Sequence, residues 1–376
     1  MKIVVDIFGA DNSPVEIVKG CIQSLCTTGH TLVLSGNKET IIHELDKYTY
    51  DKNRIEFLDC QDIITNDMEP LSAIRNYENS SLVKALDLLK NEDSVQGMIS
   101  AGSTGAVLAG GTFRVGRIDG VKRMALGPCL PTMNDNKKVC LVDCGANTDS
   151  KAEYIAQFGM LGSCYMSAMY DIAKPVIGLV SNGTEDRKGN QETKIAFDIL
   201  KNSGLNFAGN LEARDALSAK YDVVACDGFV GNVLLKSVEG TAKFVTTKLK
   251  ETLMGGGLGT KIGALLVKKQ IMSLRDKMNY HSFGGAPLLG LKKVLVKSHG
   301  SSDANAIAIS IAQVKKMIDN NMIDKIKHSP FFDTKQVTGA DKQIENKTLV
   351  EPTSINDSDN TNTNKDINEN QNNIEE

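Results

Sequence analysis

Short apolar runs rich in β-branched residues recur along the chain, each ending in glycine or a small polar residue before a longer amphipathic segment begins. This rhythm predicts an α/β fold built on parallel strands. The runs KIVVDI, TLVLSG, RIEFLD, GMISAG, KVCLVDCG, PVIGLVS, LNFAGN, DVVACDG and KVLVKSHG read as strands. Helical periodicity follows over 14–27, 38–48, 79–92, 104–117, 150–173, 190–203, 230–253, 260–279 and 302–323. The pattern stops near 335, where the sequence becomes rich in Asn, Asp and Glu and almost free of aromatics. Such a segment buries too little apolar surface to offset its ordering entropy. The expected organisation is therefore one α/β unit over 1–334 and a disordered, acidic, Asn-rich tail over 335–376.

Charge sharpens that division. Within 351–376, seven acids against Lys365 give −6, which leaves the body near +3 of the whole-chain −3. Neither value suits a nucleic-acid binder, which needs a basic face. One local departure stands out, a basic amphipathic excursion over about 253–280. After the GGG break at 255–257, Leu258, Ile262, Leu265, Leu266, Ile271, Met272 and Leu274 alternate with Lys261, Lys268, Lys269, Arg275 and Lys277. A basic helix with an apolar face suits an anionic membrane or an acidic partner, and equally a dimer interface.

The eight cysteines are scattered, mostly inside apolar runs, with no CxxC and no histidine at zinc-ligand spacing, so they read as reduced core residues and no metal is expected. The chain opens directly into strand-like MKIVVDIFGAD, and no apolar run reaches membrane-spanning length. A reducing, cytoplasmic setting is the expectation.

In parallel sheets, ligands bind beyond the carboxyl ends of the strands, where loops enter helix N-termini. Five predicted strand ends here carry glycine and small polar residues: 100–106 (SAGSTGA), 143–147 (DCGAN), 181–190 (SNGTEDRKGN), 227–232 (DGFVGN) and 299–303 (HGSSD). Glycine admits close backbone approach, and amides at a helix start favour an oxyanion. An ordinary helix cap accounts for any one of these loops; five on one presumed edge point to an anion cradle. Lys188, flanked by Gly189 and Asn190, is a point-charge donor suited to phosphate or a developing oxyanion, and Asn232 offers an amide donor. His299 suits proton transfer or a structural hydrogen bond. Asp143 and Asp227 end strands, but neither motif holds a second carboxylate for a metal. GxSxG, GxxxxGK[ST] and HExxH are absent, which disfavours serine nucleophile chemistry and P-loop nucleotide use.

Taken together, DIFGADNSP, SAGSTGA, LVDCGANTDSK, GTEDRKGNQETK, NFAGNLEARD, CDGFVGNVLLKSVEG, and FGGAPLLG followed by SHGSSDA resemble the bacterial phosphate acyltransferase (acyl-carrier-protein:phosphate transacylase) family of phospholipid synthesis, from residue 1 to about 325. Departures are Ile7-Phe8-Gly9-Ala10 where the family has a DAMGGD-like opening, Ser103 where it has Asn, and Met124 where it has Pro. The tail has no counterpart in the family pattern.

The resemblance implies a Rossmann-like three-layer α/β/α fold like those of phosphotransacetylases and of isocitrate and isopropylmalate dehydrogenases. It implies transfer of a long-chain acyl group from acyl carrier protein to inorganic phosphate, with no cofactor; a phosphotransacetylase acting on short-chain acyl-CoA is the alternative. A homodimer peripherally associated with the membrane is implied too, with the downstream glycerol-3-phosphate acyltransferase as a possible neighbour. On this reading Lys188 and Asn232 are catalytic. Ser103, Thr104, Gly105, Asp143, Asn147, Asn182, Gly183, Gly189, Asn190, Asn210, Asp227, Gly228, Gly231, His299 and Ser301 bind substrate, and Lys261, Lys268, Lys269 and Arg275 contact carrier protein or membrane.

Overall fold

The structure, a computed structural model, describes residues 1–27, 29–278 and 284–333, without the side chains of 258, 261 and 274–278. The predicted tail falls outside the described residues. Alternation in the first strand sets the layering. In β1 (Lys2–Asp6), Ile3 and Val5 join a core with Ile17 and Val18 of α1 (Val15–Thr27) and with Ile307, Ile311 and Val314 of α10 (Ala304–Asp319). Val4 faces the other way, onto Leu82, Val83 and Leu86 of α4 (Ser81–Asn91). Helices therefore cover both faces, as period-2 side-chain geometry requires of a doubly buried sheet.

The first sheet has the order β3-β2-β1-β4-β12-β11-β5. Its members besides β1 are β2 (Thr31–Gly36), β3 (Ile55–Asp59), β4 (Val95–Ser100), β5 (Ala125–Leu126), β11 (Ala286–Leu289) and β12 (Val294–Lys297). The second sheet runs β6-β7-β10-β8-β9, with β6 (Cys129–Pro131), β7 (Lys138–Val142), β8 (Ile177–Ser181), β9 (Phe207–Glu212) and β10 (Val223–Ala225). Pairing is parallel except at β6 and β11. The helix α6 (Ala152–Tyr170) covers one face of the second sheet, placing Phe158 and Tyr165 in the core shared with α1 and α10.

All nine predicted strands are present. The segment predicted helical over 104–117 is α5 (Thr104–Gly110) followed by a wider π turn over Gly111–Val115, closed by Gly116 at φ +85°. The segment predicted over 302–323 is divided. It ends at Asn320, and Asn321 adopts a left-handed φ of 53° before α11 (Met322–Lys327).

One expectation needs correction. The five glycine-rich loops do not share one sheet edge: those after β4 and β12 belong to the first sheet, those after β7, β8 and β10 to the second.

Candidate functional site

In the second sheet β10 inserts between β7 and β8, so the chain after β7 and the chain after β10 diverge from neighbouring strands. A crevice at such a switch point is where open α/β sheets bind ligands. Asp143, at the end of β7, organises it. The carboxylate is fully buried and accepts from the backbone N–H of Leu126 (2.9 Å), Ala146 (3.2 Å) and Asn147 (2.7 Å), and from Asn147 Nδ2 (2.9 Å). Burial pushes its pKa up, and these donors oppose that shift. Asp143 thus shapes the loop from behind instead of facing the crevice.

Across the crevice begins α8 (Gly228–Gly255). Asp227 caps it, accepting from Val230 N (2.9 Å), and Gly228 N donates to Asn147 O (2.8 Å). Gly228 and Gly231 allow this approach. A side chain on Gly228 would meet Asn147 O at 2.5 Å, and one on Gly231 would overlap Asp143 O. Asn232 is exposed just past the first turn, and a Cβ on Gly145 would sit 3.6 Å from its own Cβ, so its amide lies against the β7 loop.

The loop after β8 completes this side. Asn182 Oδ1 accepts from Gly189 N (2.8 Å), and Gly189, at φ +109°, turns the chain into α7 (Gln191–Lys201). Asn190 caps that helix, accepting from Thr193 N (2.8 Å). Lys188 is exposed, with Gly183 beneath its Cγ, where an added Cβ would come within 2.9 Å. Asn210, buried in β9, donates from Nδ2 to Glu185 O (2.8 Å) and steadies the loop from below.

The starts of α6, α7 and α8 border a cleft of about 650 Å³ lined by Arg123, Thr148, Asp149, Ser150, Lys151, Tyr154, Ile155, Asn190, Glu192, Asp227, Phe229 and Val230. Of the sequence-selected residues only Asn190 and Asp227 line it directly; Asn147 and Gly228 adjoin lining residues in the chain, and neither Lys188 nor Asn232 is among the residues that line it.

Ser103, Thr104, Gly105, His299 and Ser301 stand at the mouth of the first sheet. Ser103 occupies the N-cap position of α5 without a side-chain capping bond, and Gly105 lies against Pro70. His299 Nδ1 is paired with Ser301 Oγ (2.8 Å) and accepts from Ser301 N (3.2 Å). Its pKa is lowered, first by burial and then by the charges of Lys297 and Lys236, with Glu239 opposing. Lys236 and Glu239 belong to α8, so this group lies alongside the same helix as the crevice.

Two buried charges at this mouth escaped sequence reasoning. Asp6 ends β1 and accepts from Ser81 Oγ (2.6 Å) and Ser100 Oγ (2.7 Å). Lys297 ends β12 and donates to Ala101 O (3.4 Å) and to Ser298 O, binding the β4 and β12 loops together. Burial raises Asp6 to about 6, against the hydrogen bonds and the Lys297 charge, and lowers Lys297 to about 8 against the charge of Asp6. The only sequence signal was position: an acid closing an apolar strand, and a lysine closing another.

The Asp6 shift makes a pH prediction. Because its folded pKa lies above the ordinary 3.8, the native state holds a proton that the unfolded chain has released. Its stabilising contribution is complete below about pH 4 and is lost as pH rises through about 6, a change on the order of 3 kcal/mol. Asp6→Asn lacks this titration. Urea unfolding at pH 4 and pH 7 should show the stability difference between wild type and variant shrinking by that order; a pH-independent difference refutes the assignment.

No described helix is long and apolar enough to cross a membrane. The hairpin of α8 and α9 (Leu258–Met278) is nevertheless apolar outside: Phe244, Met254, Ile262, Leu265 and Leu266 are 63, 61, 54, 72 and 75% exposed. Lys268 and Lys269 are exposed beside them, while the side chains of Lys261 and Arg275 lie outside those described.

Among known proteins, residues 1–325 match the family model described as fatty acid synthesis protein. The phosphate acyltransferase of Clostridium acetobutylicum is 42% identical over 327 residues, covering 87% of this chain and 98% of that protein. That of Thermoanaerobacterium thermosaccharolyticum is 43% identical over 326 residues, covering 87% and 96%. Among solved structures, a phosphotransacetylase from Streptococcus pyogenes superposes with a TM-score of 0.54 at 17% identity, covering 86% of this chain and 94% of that one. A branched-chain phosphotransacylase from Enterococcus faecalis gives 0.52 at 12% identity, covering 85% and 99%. At these identities the structural likeness concerns the fold, which is α/β with parallel sheets.

Proposed function

The chain belongs to the fatty acid synthesis protein family and is an acyltransferase enzyme, and from that premise we propose that it moves a long-chain acyl group from the phosphopantetheine thioester of acyl carrier protein to inorganic phosphate. The observation that carries the reading is the convergence of the β7 loop, the start of α7 and the start of α8 on one crevice. The amides of Ala146, Asn147, Gly189 and Gly228 already bond within the chain, so on this reading Lys188 and Asn232, beside the crevice, supply the donors for phosphate and no covalent partner is needed.

Phosphate is a competent nucleophile toward a thioester, so the protein's task is placement. Its oxygen forms the new bond to the acyl carbon, charge gathers on the carbonyl oxygen, and the C–S bond breaks to release the thiolate. Lys188 and Asn232 divide phosphate placement and oxyanion stabilisation. The nearby thiols do not compete: Cys144 and Cys226 are buried, and desolvation pushes both well above the ordinary thiol range.

The apolar, lysine-bearing hairpin supports docking of the acidic carrier, pairing with a second copy, and contact with anionic lipid. The test is hydroxylamine trapping of acyl phosphate. Palmitoyl carrier protein with phosphate should yield hydroxamate where acetyl-CoA yields little, and Lys268→Glu with Lys269→Glu should raise the carrier KM several-fold or weaken binding to anionic vesicles. Absence of phosphate-dependent hydroxamate from either donor sinks the reading; an unaltered KM and unaltered vesicle binding remove the role of the lysines.

A further inference from the structure

The cleft between α6, α7 and α8 contains chemistry that acyl transfer to phosphate alone does not use. At about 650 Å³ it is large for an inorganic anion and falls within the range of small-molecule sites. Its lining includes aromatic and apolar side chains, Tyr154, Phe229 and Val230, with Phe229 63% exposed. It also includes two cations, Arg123 and Lys151, neither with an ion-pair partner among the described residues.

Arg123 is held ready. On one side Lys122 N donates to Gln157 Oε1 (2.9 Å), and on the other Asn147 Nδ2 donates to Met124 O (2.8 Å), so the backbone around it is tied to α6 and to the Asp143 loop. Its guanidinium lies 5.5 Å from the centroid of the Tyr154 ring. The backbone around Arg123 thus surrenders little further freedom when its exposed guanidinium meets an anion.

Three acids share the cleft. The Glu192 carboxylate accepts from Ala152 N at the start of α6 and that of Asp227 from Val230 N at the start of α8, so both are used on helix ends; Asp149 is exposed. A compact dianion among them meets repulsion on one side. A long ligand with one anionic end and a neutral amide stem avoids it, placing its charge at Arg123 and Lys151, its N–H groups toward the acids and its methyl groups on Tyr154 and Phe229.

We propose that this cleft binds the phosphopantetheine arm of the acyl donor, with Arg123 and Lys151 gripping its phosphate group. The inference rests on the acyl-transfer reading above. The chemistry is common to arms borne by a carrier protein and by coenzyme A.

The experiment compares palmitoyl-4′-phosphopantetheine with palmitoyl-pantetheine, identical but for the phosphate. In wild type, kcat/KM should favour the phosphorylated donor by on the order of tenfold or more, the scale of a charge-assisted contact. In Arg123→Ala combined with Lys151→Ala that ratio should fall toward one, largely through KM, and Arg123→Lys should retain part of it. Calorimetry with 4′-phosphopantetheine alone should show binding to wild type that the double variant loses. The same comparison with palmitoyl carrier protein and palmitoyl-CoA identifies the source of the arm. An unchanged donor ratio, or a rise confined to the KM of inorganic phosphate, overturns the proposal. If wild type yields no acyl phosphate from any donor, it is the acyl-transfer reading that fails; calorimetry then decides the cleft, and no 4′-phosphopantetheine binding to wild type, or equal binding to the variant, overturns it too.

Discussion

Lys188→Ala is expected to lower kcat/KM for acyl phosphate formation by roughly 10²–10³, the typical effect of removing one donor from an oxyanion site. Asn232→Ala should do the same. Neither loss is attributable to unfolding. Lys188 is exposed in a loop whose turn is held by backbone and Asn182 bonds, and Asn232 is exposed on a helix, where alanine has the higher propensity. The kinetics separate the roles: a group that places phosphate raises the KM for phosphate, while one acting only on the transition state lowers kcat. Full activity in both variants removes the catalytic assignment while leaving the family membership untouched.

Gly231→Ala is expected to be the most destabilising single methyl addition in α8, costing roughly 3 kcal/mol or more. The new Cβ would overlap Asp143 O and lie 3.0 Å from Asp143 C and Cys226 Sγ. These atoms cannot withdraw, because Asp143 N is bonded to Cys226 O (3.1 Å) and the Asp143 carboxylate is held by four donors. The helix must lift from the β7–β10 junction, taking the crevice with it. Gly240→Ala, the same change about two and a half turns along with nothing within 4 Å, should instead stabilise by up to about 1 kcal/mol. Thermal unfolding of the pair tests this: equal melting temperatures would mean that α8 does not seat as described.

The elements legible in the sequence were those long enough to repeat a period. Missed were β5 and β6, two and three residues long on either side of Gly127-Pro128, and β11, whose four residues include Pro287. The helix α3 (Pro70–Asn76) is two turns started by a proline and capped by Glu69, too short to show a face. At the site, glycine and capping residues were visible because their chemistry is local. Asp143, Asn190 and Asp227 were expected to bind substrate, and in the structure their oxygens are bound to nearby N–H groups, which residue type alone does not reveal. Asp6 and Lys297 come close enough to feel each other's charge only because β1, β4 and β12 are neighbours, and Arg123 reaches Tyr154 only through the packing of α6. Long-range adjacency leaves no periodic trace.

The 28 residues of α8 form one uninterrupted rod, about 42 Å long, with Asn232 just past its first turn and Met254 at its far end. Gly228 and Gly231 anchor the near end against the Asp143 loop, while the far end stands among uncovered apolar side chains. One continuous element therefore runs from the crevice to that outer surface.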